Sequence, residues 1–428
     1  MVELGSGFKH PLSVSANSSS VPVQVIVLSG GTLSGGEVPR GYVVTVRSGG
    51  IASGLAVDSG ASLIVSAGGT DINATVSGGG KLIVSSGGVA DPTIILAGGT
   101  EIVSAHGTDD GAHISGGTHL VFGLASGGTV FAGAQVVGSS GTAAATVVSG
   151  GTEIVSARGI ASGASLFGGT ELVASGGTDI GATVHGGGEL DVLKGGRASG
   201  TLFTSGGLET VSAGGLVVSA KVQNIGQNSA GLGLRVLGTA SGSLVGSNGQ
   251  GVVSSGGVDI GATVLSGGFL TIHSGGLSIS ATLSGNTAGA LGAEFVRSGG
   301  RTSHAVIDSG GFLSVSAGGL VISTIVNSTG VGTSVGGLLL SGAAGGGAAS
   351  ATLVNSGGQE SIHFGGKDIG ARSTAAATCS SSPAVSPAAR RLSGWRSSPP
   401  AAPPWRTLSR VSALPAAAAP VWVCPALA

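Results

Sequence analysis

The chain is poor in aromatic side chains, with nine Phe, three Trp and one Tyr among 428 residues. Aromatic rings supply much of the buried area of ordinary cores, so small aliphatics must do the packing here. Charge is equally scarce, at 9% of residues. That leaves no basic patch with which to hold nucleic acid. It also leaves no groove of clustered Asp, Lys and Arg of the kind that polysaccharide cleavage requires. Only two cysteines occur, Cys379 and Cys424, so everything before them lacks a disulfide or a thiolate metal centre. A thiol-free segment suits a chain that crosses an oxidising compartment unfolded. No run of eighteen apolar residues would span a bilayer, and glycine does not recur at every third position as collagen demands.

What the sequence has in abundance is glycine, 87 residues of it, together with a mean hydropathy of +0.49. Val, Leu and Ile recur throughout, which argues against a solvated glycine-serine linker. A glycine-rich disordered polymer is the alternative in which these apolar residues stay exposed.

The glycines come in pairs, and the pairs keep time. Their second members form one series, Gly151, Gly169, Gly188 and Gly207, and an interleaved one, Gly177, Gly196 and Gly215, at nearly constant intervals. Four residues after the first series lies an apolar column that includes Val84, Val103, Val121, Val155, Val173, Val192 and Val211. Seven after the second lies another, with Val76, Val184, Phe203, Val222 and Val264. Fragments such as Leu190-Asp191-Val192 and Ala182-Thr183-Val184 alternate apolar or small with polar, the period of a strand with one buried face. Glycine pairs supply the bends.

A unit this short cannot bury its apolar face alone, and stacking units in parallel gives each Val a Val above and below. The expected fold is all-β, a right-handed parallel β-helix (β-solenoid) with rungs of about 19 residues. The expected organisation is an N-terminal cap or ragged start over 1–26, a repeat domain over 27–371, and a tail over 372–428. Within the repeats, 223–250, 284–296 and 327–350 break register and read as projecting loops. The tail holds nine of the thirteen prolines, all three tryptophans, six arginines and no acid, a composition that predicts disorder. Its abrupt start, half-way through a unit, is what a shift of reading frame after codon 371 would produce.

Motifs that carry chemistry do not assemble. Gly366-Lys367 lacks the Ser or Thr and the helix of a phosphate-cradling loop. Asp71, Asp179, Asp259 and Asp368 recur at one position after a glycine pair, at intervals too long for a tandem calcium roll. Glu153, Glu171 and Glu189 fall on neighbouring rungs and read as turn-edge side chains fanned into water. His106, His113, His119, His185, His273, His304 and His363 read as polar strand positions, without the spacing of a metal site. The column Thr75, Ile94, His113, Ser165, Thr183, Leu202 and Lys221 is too broken for an ice-binding ladder. The expectation is therefore no catalytic residue, no metal, no cofactor and no enzyme.

Units such as Ser175-Gly176-Gly177-Thr178-Asp179-Ile180-Gly181-Ala182-Thr183-Val184 and Ser356-Gly357-Gly358-Gln359-Glu360-Ser361-Ile362 resemble the strand-loop-strand repeats of self-associating autotransporter passengers, the family of the diffuse-adherence adhesin. The resemblance covers roughly 27–371. It implies a right-handed β-helix outside a Gram-negative cell, acting in autoaggregation, adhesion or biofilm, with self-association or a host-surface ligand as partner. The alternative is a passive stalk for an adhesive or enzymatic head. The resemblance also implies an O-heptosyltransferase as a partner, for which the serines before glycine pairs, Ser77, Ser149, Ser205, Ser266, Ser309 and Ser356, are the candidate acceptors. Residues 1–22 lack the pattern of a signal peptide, and the C-terminal segment lacks the alternating strands of a translocator barrel.

Overall fold

A computed structural model of the chain describes residues 1–7, 9–12, 21–223, 233–286, 290–327, 336–341, 346–363, 365–374, 377–381, 406–407 and 422–423. It is an all-β parallel solenoid without a helix among the described residues. It divides into two compact units, Met1–Leu202 with Gly207–Glu209, and Phe203–Gly206 with Thr210–Ala428.

In the first unit a rung consists of one four-residue strand and two shorter ones, for example Thr152–Val155, Ile160–Ser162 and Ser165–Leu166. Each pairs in parallel with its equivalent one rung on, so that Glu153 faces Glu171 and Val155 faces Val173. The first position of the longer strand falls in turn on Ser62, Lys81, Thr100, Thr118, Ala134, Thr152 and Thr170, so the rung contracts after Thr100 and is shortest between Thr118 and Ala134. The stack already begins at Val2–Leu4, which pairs in register with Val25–Val27. Residues 1–26 thus include a strand paired into the stack.

The glycine pairs divide two jobs between them. At Gly98-Gly99 the first glycine has φ +73°, a left-handed conformation that costs an L side chain roughly 1 kcal/mol. The second has no room for a side chain, because a Cβ on Gly99 would lie 2.3 Å from the Val76 carbonyl oxygen of the rung below. Ladder hydrogen bonds continue through the turns, as from the Gly49 amide to Gly68 O (2.8 Å) and from the Gly68 amide to Gly87 O (2.8 Å). Turn backbone is thereby satisfied without side chains.

The second unit repeats the plan with uneven rungs. Its four- and five-residue strands Gln250–Val253, Phe269–Ile272, Gly292–Val296, Gly311–Val315, Gly337–Leu340 and Gln359–Ile362 pair in sequence. The stretches read as projecting loops contain ordinary rung strands, namely Gly233–Val236, Thr239–Ser241 and Leu244–Val245, then Gly292–Val296, then Gly337–Leu340 and Ala348–Ser350. What broke the sequence register is extra sequence between strands, part of which (224–232, 287–289, 328–335 and 342–345) lies outside the described residues. Parallel pairing continues to Arg372–Ser373 and Thr378–Ser381. Most of the tail expected to be disordered lies outside the described residues.

Inside both units the valine columns are fully buried, Val84, Val103, Val121, Val155, Val173 and Val192 in the first, Val211, Val222 and Val264 in the second. Continuous burial of this kind excludes the glycine-rich disordered polymer. Stacked valines remove their apolar surface from water against copies of themselves, at roughly 25 cal/mol per Å².

Candidate functional site: a stacked outer face over a polar interior

The four-residue strands present two side chains inward and two outward. Outward, the third position of the strand is aliphatic on seven consecutive rungs, Ile64, Ile83, Ile102, Leu120, Val136, Ile154 and Leu172, each directly in register with the next. All seven are half-buried by their neighbours and open to solvent on the remaining side. At about 4.8 Å per rung the stripe is about 29 Å long. Beside it runs the column of first positions, Ser62, Lys81, Thr100, Thr118, Ala134, Thr152 and Thr170. An apolar stripe held in register over seven rungs and edged mostly with hydroxyls is a surface that a partner of matching spacing can cover. In the second unit the equivalent positions read Val252, Thr271, Phe295, Ser314, Leu339 and Ser361, so no aliphatic stripe runs there.

The turn serines differ in presentation. Ser149, Ser205, Ser309 and Ser356 are exposed, whereas Ser77 and Ser266 are half-buried. Ser266 Oγ donates to the Ala290 carbonyl at 3.2 Å. A shallow groove is lined by His106, Phe122, Leu124 and Thr142, beside the shortest rung.

Inward, the structure corrects the reading of the acidic residues. Glu153 and Glu171 do not fan into water; both are 0% exposed inside the solenoid. The reason is parity: each lies two residues before an inward valine, Val155 or Val173, and a strand returns to the same face every second residue. Glu189 is exposed, because the extra residue before it puts Leu190 at the inward position facing Glu171. A polar run therefore replaces the core over five rungs, Leu82, Glu101, His119, Gln135, Glu153, Glu171 and Leu190 being stacked in that order. Asp71, Asp109 and Asp179 enter from the second strand face, with Ala52, Ala90, Ala125, Ala143, Ala161 and Ala198 at the other rungs of that column. These alanines provide the space that long polar side chains occupy.

Hydrogen bonds tie part of this column together. Gln135 Nε2 donates to Glu153 Oε1 (2.9 Å) and to Thr146 Oγ1 (3.0 Å), and Thr146 Oγ1 donates to the same Glu153 oxygen (3.2 Å). Thr93 reaches Glu101 Oε1 at 3.3 Å, and Thr201 reaches Glu209 Oε1 at 3.5 Å. Burial pushes these carboxyls up, Asp71, Asp109 and Glu153 to about 7 and Asp179 to about 8, while Glu101, Glu171 and Glu209 rise well above the usual range. A neutral carboxylic acid is the cheaper form in such surroundings. His119, read from sequence as a polar strand residue among scattered histidines, is likewise fully buried, and burial lowers it to about 4. In the second unit Asp259, Glu294, Glu360 and Asp368 point inward too, with Ser243 donating to Asp259 (3.4 Å) and Thr302 to Glu294. Burial raises Asp259 to about 6 and Glu294 to about 7.

No family model matches the chain, and no curated protein matches it by sequence. Among solved structures the chain is similar to a TibC-catalysed hyper-glycosylated fragment of TibA, residues 55–350, at 24% identity over 88% of this chain and 97% of that one, with a TM-score of 0.36. Weaker likenesses are the periplasmic alginate epimerase AlgG, at 10% identity over 77% and 73% with a TM-score of 0.15, and the A-module of the mannuronan C-5 epimerase AlgE4 from Azotobacter vinelandii, at 11% over 86% and 84% with a TM-score of 0.11.

Proposed function

We propose that this chain is the displayed passenger of a bacterial surface adhesin and that it works by self-association through the aliphatic stripe of its first unit. The observation that carries the reading is the seven-rung column from Ile64 to Leu172, held in register by the ladder. A second copy has the same rung spacing, so every aliphatic side chain on one copy has a counterpart at the same interval on the other. Each contact is weak, and many identical contacts on a rigid frame add by multivalency. The flanking Thr and Ser hydroxyls give the apolar stripe a polar rim, the usual anatomy of an interface.

The exposed turn serines Ser149, Ser205, Ser309 and Ser356 are the acceptors we assign to an O-heptosyltransferase, with the half-buried Ser77 and Ser266 as poorer ones. Co-expression with such a transferase is expected to raise the intact mass by whole heptose increments, and an unchanged mass would refute the assignment.

The function is tested by displaying the full chain on Gram-negative cells through a heterologous translocator. Wild-type display is expected to accelerate settling several-fold over bare cells. A triple Ile83→Lys, Ile102→Lys, Ile154→Lys variant is expected to settle like bare cells, and Thr108→Lys, Thr142→Lys, Thr178→Lys, on the neighbouring strand face, like wild type. Wild-type display that leaves settling unchanged would favour the passive stalk.

A further inference from the structure

We infer that Glu101, Asp109 and His119 form a divalent transition-metal site of zinc type, enclosed in the interior of the first unit. The three come from consecutive strands of the stack. Glu101 and His119 are register neighbours on one face, and Asp109, on the strand that follows Glu101 in the same rung, projects from the second face. His119 Nε2 lies 3.8 Å from Asp109 Oδ2 and 4.0 Å from Glu101 Oε2, and all three side chains are 0% exposed.

The hydrogen-bond network fixes which histidine nitrogen is free. Gln135 commits its amide NH₂ to Glu153 and Thr146, so its oxygen is the atom 3.0 Å from His119 Nδ1. Nδ1 must therefore carry the proton and donate. That leaves Nε2 with its lone pair, aimed at the two carboxylates, and neither Nε2 nor Glu101 Oε2 has a hydrogen-bond partner. Thr93, bound to the other Glu101 oxygen, turns Oε2 towards the same point. Metal-binding histidines are oriented in just this manner, through the second ring nitrogen.

One nitrogen and two carboxylate oxygens suit zinc and its first-row neighbours. Four-coordinate geometry at about 2.0–2.2 Å per ligand places ligand atoms roughly 3.3–3.6 Å apart, so each carboxylate oxygen approaches Nε2 by about half an ångström on binding. Ala90 and Ala125, the register neighbours of Asp109, leave that movement free. A dication balances two carboxylates and a neutral imidazole, which removes the cost of burying two acids beside each other. Because the site is sealed, metal enters as the rungs assemble, and binding is coupled to folding.

The test refolds the full chain from guanidinium and chelator, with and without one equivalent of Zn²⁺ or Co²⁺, then removes loose metal by gel filtration. Wild type is expected to retain close to one metal per chain. His119→Gln and Asp109→Asn are expected to retain at least tenfold less, while Asp179→Asn, a buried acid elsewhere in the unit, and His113→Gln, an outward histidine, retain it fully. Far-ultraviolet circular dichroism checks that the variants still form strand. Should His119→Gln fail to fold, the cobalt spectrum of wild type decides. Intense visible bands of a four-coordinate site uphold the inference, and the weak bands of a hydrated octahedral ion overturn it. Wild type that refolds without retaining metal, or His119→Gln that folds and retains as much as wild type, also overturns it.

Discussion

Raising the pH should loosen the first unit, and Asp179→Asn should remove a defined share of the effect. Asp179 is 0% exposed, and its carboxyl is pushed from 3.8 to about 8, first by burial and then by the neighbouring Glu153. Its folded-state affinity for a proton exceeds its unfolded one. The stability it contributes is therefore fully present below pH 3.8 and is lost as pH rises through 8. Between those limits the folded chain holds one proton that the unfolded chain has released, and stability falls by about 1.4 kcal/mol per pH unit for that group. Asp71, Glu153, Glu171 and Glu209 act in the same direction. His119, lowered from 6.5 to about 4, has the opposite sign and strengthens the fold as pH rises from 4 to 6.5. From pH 6.5 to 7.5 the His119 effect fades as the unfolded imidazole finishes losing its proton, and it is common to wild type and Asp179→Asn, so the difference between their slopes in that window isolates Asp179. Urea denaturation at constant ionic strength, followed by circular dichroism, is expected to give a downward slope for wild type. The Asp179→Asn slope should be shallower by about 1.4 kcal/mol per pH unit. Equal slopes for the two proteins, or a wild type that gains stability across this window, would refute the reasoning.

Other expectations concern the frame. Gly99→Ala drives a Cβ into the Val76 carbonyl at 2.3 Å and is expected to cost more stability than Gly98→Ala, whose penalty is the roughly 1 kcal/mol of a left-handed residue; paired urea melts compare them. Leu82→Ala leaves a cavity between Leu63 and Glu101 in the inward column and should cost about 2–5 kcal/mol in the same assay.

Most of the frame was legible because its causes are local and repeated. Glycine pairs and the valines four and seven residues beyond them are separate signals with one period, and stacking turns each into a column such as Val155 on Val173. The polar interior was legible in part. The rule that buries Val155 also buries Glu153 two residues earlier, but the usual exposure of carboxylates argued for water. The deciding fact is the volume left by alanines on the facing strand column, which a one-dimensional reading does not contain. Asp109 and His119 were hidden for a further reason: the rungs contract around them, which shifts the count from one glycine pair to the next. The outward stripe could have been read from Ile64, Ile83, Ile102 and Ile154, each one residue before an inward valine.

The most direct test of the self-association account is disulfide trapping. In a Cys379→Ser, Cys424→Ser background the chain has no other thiol. An antiparallel pair related by a two-fold axis brings the middle of the stripe, Leu120, against its own copy, while Ile64 on one chain meets Leu172 on the other, about 29 Å from its own counterpart. Leu120→Cys is expected to form a disulfide dimer rapidly under mild oxidation. Ile64→Cys alone should not, and a mixture of Ile64→Cys with Leu172→Cys should yield the mixed dimer. Self-linking of Ile64→Cys would mean that the chains pair in parallel. Leu120→Cys that links no faster than Thr178→Cys, on the neighbouring strand face, would contradict the stripe as the contact.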